Sequence, residues 1–221
     1  MAGLVGGCAS GETAKGECLE GGDMSDNEQL DRVRIGHLIL QERVARDTGR
    51  WDQMRACYSG NSTIDISWFR GSGFDFVDVS REAADSGSAS FHKMEPCLVD
   101  IKGDRANVNV GVAIHLRTLM NNVEVLLIGH GRMLFRVERR ASNWLINHLT
   151  GIYVMDTLQP AVPGEAVSVD RERLATYRAS YRYLSYLLEL SGRPVSQDLP
   201  GVDRPDSVDA ILTANTDWLN Q

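Results

Sequence analysis

Asp47 and the five histidines are the side chains of this chain whose type and setting suit proton transfer. Leu30, Val33, His37, Leu40, Val44 and Asp47 recur at spacings of 3, 4, 3, 4 and 3, so one helix face carries all six. A carboxylate therefore stands where Leu or Val is expected. It also ends the helix, where the macrodipole disfavours negative charge, so position and burial both predict a raised pKa. A group placed like this either meets a partner or serves a reaction. A plainer reading stays open beside it: Asp47 N-caps a second helix from about Arg50, or closes the DTGR turn.

His92, early in a strand with Phe91 and Met94 near it, is the second candidate, and it also reads as an ordinary packed or surface histidine. His37 shares the stripe with Asp47. His115 alternates with Asn107, Asn109, Ala113 and Arg117, away from the Val/Ile face. His130 stands between two glycines, and His148 has the parity of Trp144, Ile146 and Ile152. These histidines show neither HxH nor HExxH spacing, so no metal site is expected. A serine hydrolase is not indicated without a GxSxG elbow, and GETAKGE lacks the Lys-Ser/Thr of a P-loop. No cofactor is expected.

The elements that must position these groups are legible from patterning. Residues 1–23 hold seven glycines and few apolar side chains, so disorder is expected there; no signal peptide is read, and Met24 opens the folded part. Ser25 with Glu28 reads as a capping box for the first helix. STIDISWF alternates with Ile64, Ile66 and Trp68 on one face, RGSG reads as a turn, and FDFVDVSREAAD as a short helix. SFHKMEPCLVDI is a strand whose Pro96 demands an edge or a bulge. ANVNVGVAIHL places Val108, Val110, Val112, Ile114 and Leu116 on one face. VEVLLIGHGRMLFRVERR follows, with Gly129 and Gly131 as bends, and WLINHLTGIYVMD closes the meander. Residues 157–169 read as a linker. A helix is expected from about Asp170 to Leu190, stopped by Gly192 and Pro194, and a last helix capped by Asp206 or Ser207. The class is α+β: a curved, cone-shaped antiparallel sheet wrapped by N-terminal helices, with a C-terminal helical extension.

Composition bounds the rest. At 221 residues and 43% hydrophobic content the chain can bury one full core. Its 23 basic against 30 acidic residues give a net charge of −7, with no basic block for nucleic acid or anionic membrane. Four cysteines form no CxxC pair; Cys57 and Cys97 read as small core residues, and a reducing, cytoplasmic setting is expected. No apolar run reaches transmembrane length.

DTGRWDQM after a helix, STIDIS, SFH opening a meander, the IKGDRA turn and RRASNWLI in the last hairpin together resemble the SnoaL-like branch of the nuclear transport factor 2-like superfamily, over about Ser25 to Pro163. Within it the sequence is similar to scytalone dehydratase and bile-acid 7α-dehydratase. Three segments follow: the stretch 1–23 read as disordered from composition, an α+β barrel 24–164 implied by the resemblance, and a helical extension 165–221. The resemblance implies a cofactor-independent dehydratase or isomerase for a polyketide- or steroid-like substrate, with Asp47 orienting His92 in an apolar pocket. It also implies a second pocket histidine near His115; His37, from its place on the stripe of Asp47, is read either as lining the same cavity or as a buried, satisfied histidine. The tyrosines that activate the substrate carbonyl in those enzymes fall at Arg46 and Ile66 here, and Tyr58 or Trp68 takes over part of that role. A homo-oligomer, dimer or trimer, is implied. Two other roles stay open: a small-molecule-binding module without chemistry, and an accessory subunit.

Overall fold

The computed structural model describes residues 25–85, 89–193 and 195–221. The Gly-rich segment expected to be disordered and Pro194 lie outside the described residues. Helix α1 (Asp26–Asp47) starts where Ser25 Oγ accepts the Glu28 N–H at 3.3 Å, with Asp26 and Glu28 facing the positive end of the helix. It ends at Thr48, and Gly49 takes φ +69° to redirect the chain into α2 (Trp51–Ala56).

The inward face of α1 is not the apolar stripe. Ile35, Ile39, Glu42, Arg43 and Asp31 are buried, whereas Leu30, Val33, Leu40 and Val44 are exposed, Val33 at 68%. His37 lies on this outer face as well. The reason is polar pairing over long range. Asp31 accepts from Arg139 Nη2 at 2.5 Å and from Trp144 Nε1 at 3.0 Å. Glu42 accepts from the Tyr58 hydroxyl at 2.7 Å and from the Arg43 guanidinium. Charges whose partners arrive from the sheet can face the core, so a count of apolar residues picked the wrong side.

Strands β1 (Tyr58–Ile66) and β2 (Phe69–Ser72) form a hairpin turned at Ser67 and Trp68. RGSG is therefore largely strand rather than turn. Helix α3 (Gly73–Asp85) follows as expected. The Pro96 region breaks the next strand into β3 (Ala89–Met94) and β4 (Leu98–Lys102), both paired with β5 (Arg105–Met120) at the sheet margin. Strands β5, β6 (Val123–Arg140) and β7 (Asn143–Pro160) make the meander, with Asn121 and Asn122 at φ +50° and +66° in the first two-residue turn. The sheet order is β2-β1-β7-β6-β5-β3. One junction is parallel, β1 on β7; the sheet curls without closing. The β6–β7 register shifts at His130/Gly131, and there a Cβ on Gly131 would stand 2.6 Å from the Ile152 carbonyl oxygen. Only glycine permits that approach, which sharpens the curl.

The expected single helix over 170–190 is two. Helix α4 (Arg171–Ala175) stops, a 3₁₀ turn spans Ala179–Tyr181, and α5 (Arg182–Leu190) follows. Arg178, between them, is pulled out of helical continuity by Asp203, which it contacts through Nε at 3.1 Å and Nη2 at 2.5 Å, and by the Leu199 carbonyl at 2.5 Å. The loop so anchored pairs with β7, where the Tyr153 N–H donates to the Pro200 carbonyl and the Tyr153 carbonyl accepts the Val202 N–H. Helix α6 (Pro205–Asn220) has Pro205 in its first turn and no side-chain cap, so neither Asp206 nor Ser207 caps it. It lies on the outer sheet face by polar contacts: Asn107 and Arg136 reach Asn215, and Arg105 reaches the Trp218 carbonyl at 2.7 Å.

The two faces of α1 can be told apart by stability. Asp31→Ala strands the Arg139 and Trp144 donors and is expected to cost about 2–4 kcal/mol in chemical denaturation. Val33→Ala is expected to stay within about 0.5 kcal/mol of wild type. The reverse ranking would contradict the orientation of α1.

Candidate active site

Asp47, the last residue of α1, grips His92 of β3 at two points. Its Oδ2 accepts the His92 main-chain N–H at 2.8 Å, and its Oδ1 lies 2.7 Å from His92 Nδ1. A carboxylate only accepts, so Nδ1 carries the proton and Nε2 is left bare. The carboxylate is thus committed to His92 rather than to capping α2, whose N-cap Arg50 makes no side-chain bond. Its pKa is lowered, not raised: burial pushes it up, but the hydrogen bonds and charge of His92, with Arg43, outweigh burial. His92 is 8% exposed. Burial pushes its pKa down to about 4 against the pull of Asp47, and the cations of Arg43 and Arg46 add to the depression.

Arg46, one residue before Asp47, stands at the place the resemblance gives to a carbonyl-activating tyrosine, and it too lines the site. Its guanidinium donates from Nη1 to Ser90 Oγ at 2.8 Å and stands 5.7 Å from the Trp68 ring centre and 5.9 Å from that of Phe76. Its Nε is buried and has no partner. Burial, then the charge of Arg43, lowers its pKa to about 10, so it stays cationic at neutral pH.

These groups open on a cavity of about 290 Å³. Trp51, Ile66, Trp68 and Phe76 wall it near the pair; Ile114, Leu116 and Leu127 wall it from the sheet; Tyr181, Leu184 and Leu188 come from the C-terminal extension. The extension therefore covers part of the cavity.

Of the expected site residues, Asp47, His92 and Trp68 meet in this wall. Tyr58 does not: it lies behind the wall, 3% exposed, spent on Glu42. His115 does not either, because its strand neighbour Ile114 faces the cavity and His115 turns to Phe91, ring centres 6.0 Å apart. His37 points outward from α1. His130 reaches the cavity at its exposed rim, and His148 is held by Thr63 Oγ1 at 2.7 Å. Asp156 of β7 also lines the cavity and was missed. Asp156 had no local sequence signal, since a charge beside an apolar run ordinarily faces water, and Arg46 was marked only by its place in the motif order. Among the described residues no group of His, Cys, Asp and Glu is placed to hold a metal ion, and no helix is long and apolar enough to cross a membrane.

The neutral burial of His92 sets an acid limit. Its folded pKa of about 4 lies below the ordinary 6.5, so between those values the unfolded chain binds a proton that the fold excludes. Stability is complete above that window and falls as pH drops through it. Asp47, lowered in the fold, adds a loss of the same sign below 3.8, while Asp156, raised by burial, works in the opposite sense. From pH 7 to 5 the His92 contribution is about 2 kcal/mol. Urea titrations should show His92→Gln losing that much less stability than wild type across the interval; equal losses would contradict the buried neutral imidazole.

The SnoaL-like domain model matches residues 27–150. An uncharacterized protein of Emericella nidulans is 26% identical over 210 residues, covering 88% of each chain. Pea pathogenicity protein 2 of Fusarium vanettenii is 24% identical over 180 residues, 80% of this chain and 77% of that one. A crystal structure of a putative scytalone dehydratase from Novosphingobium aromaticivorans superposes with a TM-score of 0.53 at 16% identity, covering 66% of this chain and 100% of that one. The hexachlorocyclohexane dehydrochlorinase LinA-type3 of Novosphingobium barchaimii gives a TM-score of 0.53 at 15% identity, with the same coverage. These two structures share the fold. The family match supports an enzyme-like or ligand-binding role, and with more than half its length matched, this chain belongs to the SnoaL-like domain family.

Proposed function

We propose that this protein is a cofactor-independent dehydratase or isomerase for an apolar hydroxylated or ketone substrate, polyketide- or steroid-like, with Asp47 and His92 as its acid–base pair. The observation that carries this reading is the double grip of Asp47 on His92 beside an apolar cavity. The bare Nε2 takes a proton from the carbon next to a carbonyl, and the electron pair moves onto the carbonyl oxygen. Asp47 holds the ring in the required tautomer and offsets the imidazolium charge. Arg46, cationic in an apolar wall, stabilises the enolate oxygen. The imidazolium then protonates the departing hydroxyl: the C–O bond breaks, water leaves, the carbonyl re-forms and a conjugated double bond remains. With a β,γ-unsaturated ketone, returning the proton instead to the γ-carbon of the dienolate moves the double bond and gives isomerisation.

The low pKa of His92 suits this sequence. Burial depresses it, and the cations of Arg43 and Arg46 add to that against the pull of Asp47. An enolate forming beside the two cations offsets their field and raises the basicity of Nε2 as the proton arrives. The imidazolium is then acidic enough to protonate a hydroxyl leaving group. The names of two proteins that share the fold, a dehydratase and a dehydrochlorinase, are those of eliminations, which make the same demand for a base next to a leaving group.

The test is a panel of β-hydroxy ketones on fused rings, followed by the absorbance of the conjugated product and by solvent deuterium uptake. His92→Gln is expected to lower kcat by about 10²–10⁴. Arg46→Gln is expected to lower it by about 10². Saturable binding with neither elimination nor deuterium uptake would overturn catalysis and leave a binding module.

A further inference from the structure

We propose that Asp156 is a second ligand-binding group of this cavity, an acceptor that fixes the end of an elongated apolar substrate remote from the Asp47–His92 pair through a hydroxyl or amine of that substrate. The proposal rests on the functional reading above for which end reacts.

Register places the two ends. His92 pairs with Ile114, Ile114 with Gly129, and Gly129 with Asp156, so these residues form one row across β3, β5, β6 and β7. Directly paired residues share a face, and all four line the cavity. Three strand spacings separate the ends, about 14 Å along the sheet and less across its concave side. Between them Gly129 contributes no side chain, and a Cβ added there would meet nothing within 4 Å. The row is a floor with a titratable group at each end, and between them the apolar Ile114 side chain and the open space over Gly129, a shape for a flat ring system lying across the strands.

The Asp156 carboxylate is only half used. It is 8% exposed, and its Oδ2 accepts the Leu184 N–H at 2.8 Å in the first turn of α5. Its Oδ1 is buried and has no partner. Capping α5 needs one oxygen, which Ser, Thr or Asn supplies without bringing a second acceptor into an apolar wall. Burial raises the Asp156 pKa despite the main-chain N–H groups of Leu184 and Tyr183 and the charge of Arg182. The substrate class that follows is a rigid fused-ring compound with its carbonyl toward Arg46 and His92 and a hydrogen-bond donor at the opposite end.

The experiment compares α-tetralone with 6-hydroxy-α-tetralone, whose hydroxyl lies across the rings from the ketone, using quenching of Trp51 and Trp68 fluorescence. Wild type is expected to bind the hydroxy ketone at least tenfold more tightly. Asp156→Asn keeps a carbonyl oxygen for the α5 cap, so the preference should fall to within about twofold while α-tetralone affinity holds. Equal weakening of both ketones in that variant would assign Asp156 to the cap alone and overturn the proposal. Binding of both by wild type without preference overturns it too, yet leaves the catalytic reading standing. Saturation by neither ketone overturns it together with the apolar-ketone reading of the cavity.

Discussion

The contact on which the site depends is the double acceptance by Asp47. One carboxylate holds the main chain and the ring of the same residue, His92, and so joins the last turn of α1 to the first strand of the curl. The main-chain bond fixes where β3 starts against the helix, and the ring bond fixes which imidazole nitrogen is bare. Because one residue provides both, the tautomer is tied to the register of β3 on β5. Burial alone would leave a histidine neutral; it would not decide which nitrogen faces the cavity.

The same logic extends along α1. Asp31, Glu42 and Arg43 are buried charged residues, with Arg46 nearly so, and each is met by a partner or an aromatic wall. Buried pairs of this kind stabilise little relative to apolar packing but are costly to break, so they fix one docking geometry of the helix. That geometry carries Asp47 to His92 and turns Arg46 into the cavity. The extension contributes at the opposite end: Arg178 and Asp203 anchor its loop to β7, and α5 covers the cavity with its first turn capped from the floor by Asp156.

The meander was legible because alternation is local. Val108, Val110 and Val112 announce their face, and the two Asn residues announce the turn into β6. Asp47 and His92 were legible through motif order, since nothing in their own spacing couples residues 45 positions apart. The inward side of α1 was not legible. Its apolar stripe is real but points outward, and the buried charges became plausible only when Arg139, Trp144 and Tyr58 were in place. The pKa of Asp47 failed for the same reason, as helix-end repulsion and burial were visible and the two bonds to His92 were not. The break between α4 and α5 answers to Asp203, 25 residues beyond Arg178. Tyr58 and His115 were drawn toward the pocket by resemblance, while local pairing sends one to Glu42 and parity sends the other to Phe91.

The most direct measurement is the long-range ¹⁵N–¹H correlation spectrum of the His92 ring, assigned against His92→Gln and followed down in pH. The Asp47–His92 pair requires Nδ1 protonated, Nε2 bare at neutral pH, and no uptake of a proton until the pH nears 4. A ring protonated on Nε2, or one that titrates near the ordinary 6.5, would contradict the Asp47–His92 pair as the acid–base centre.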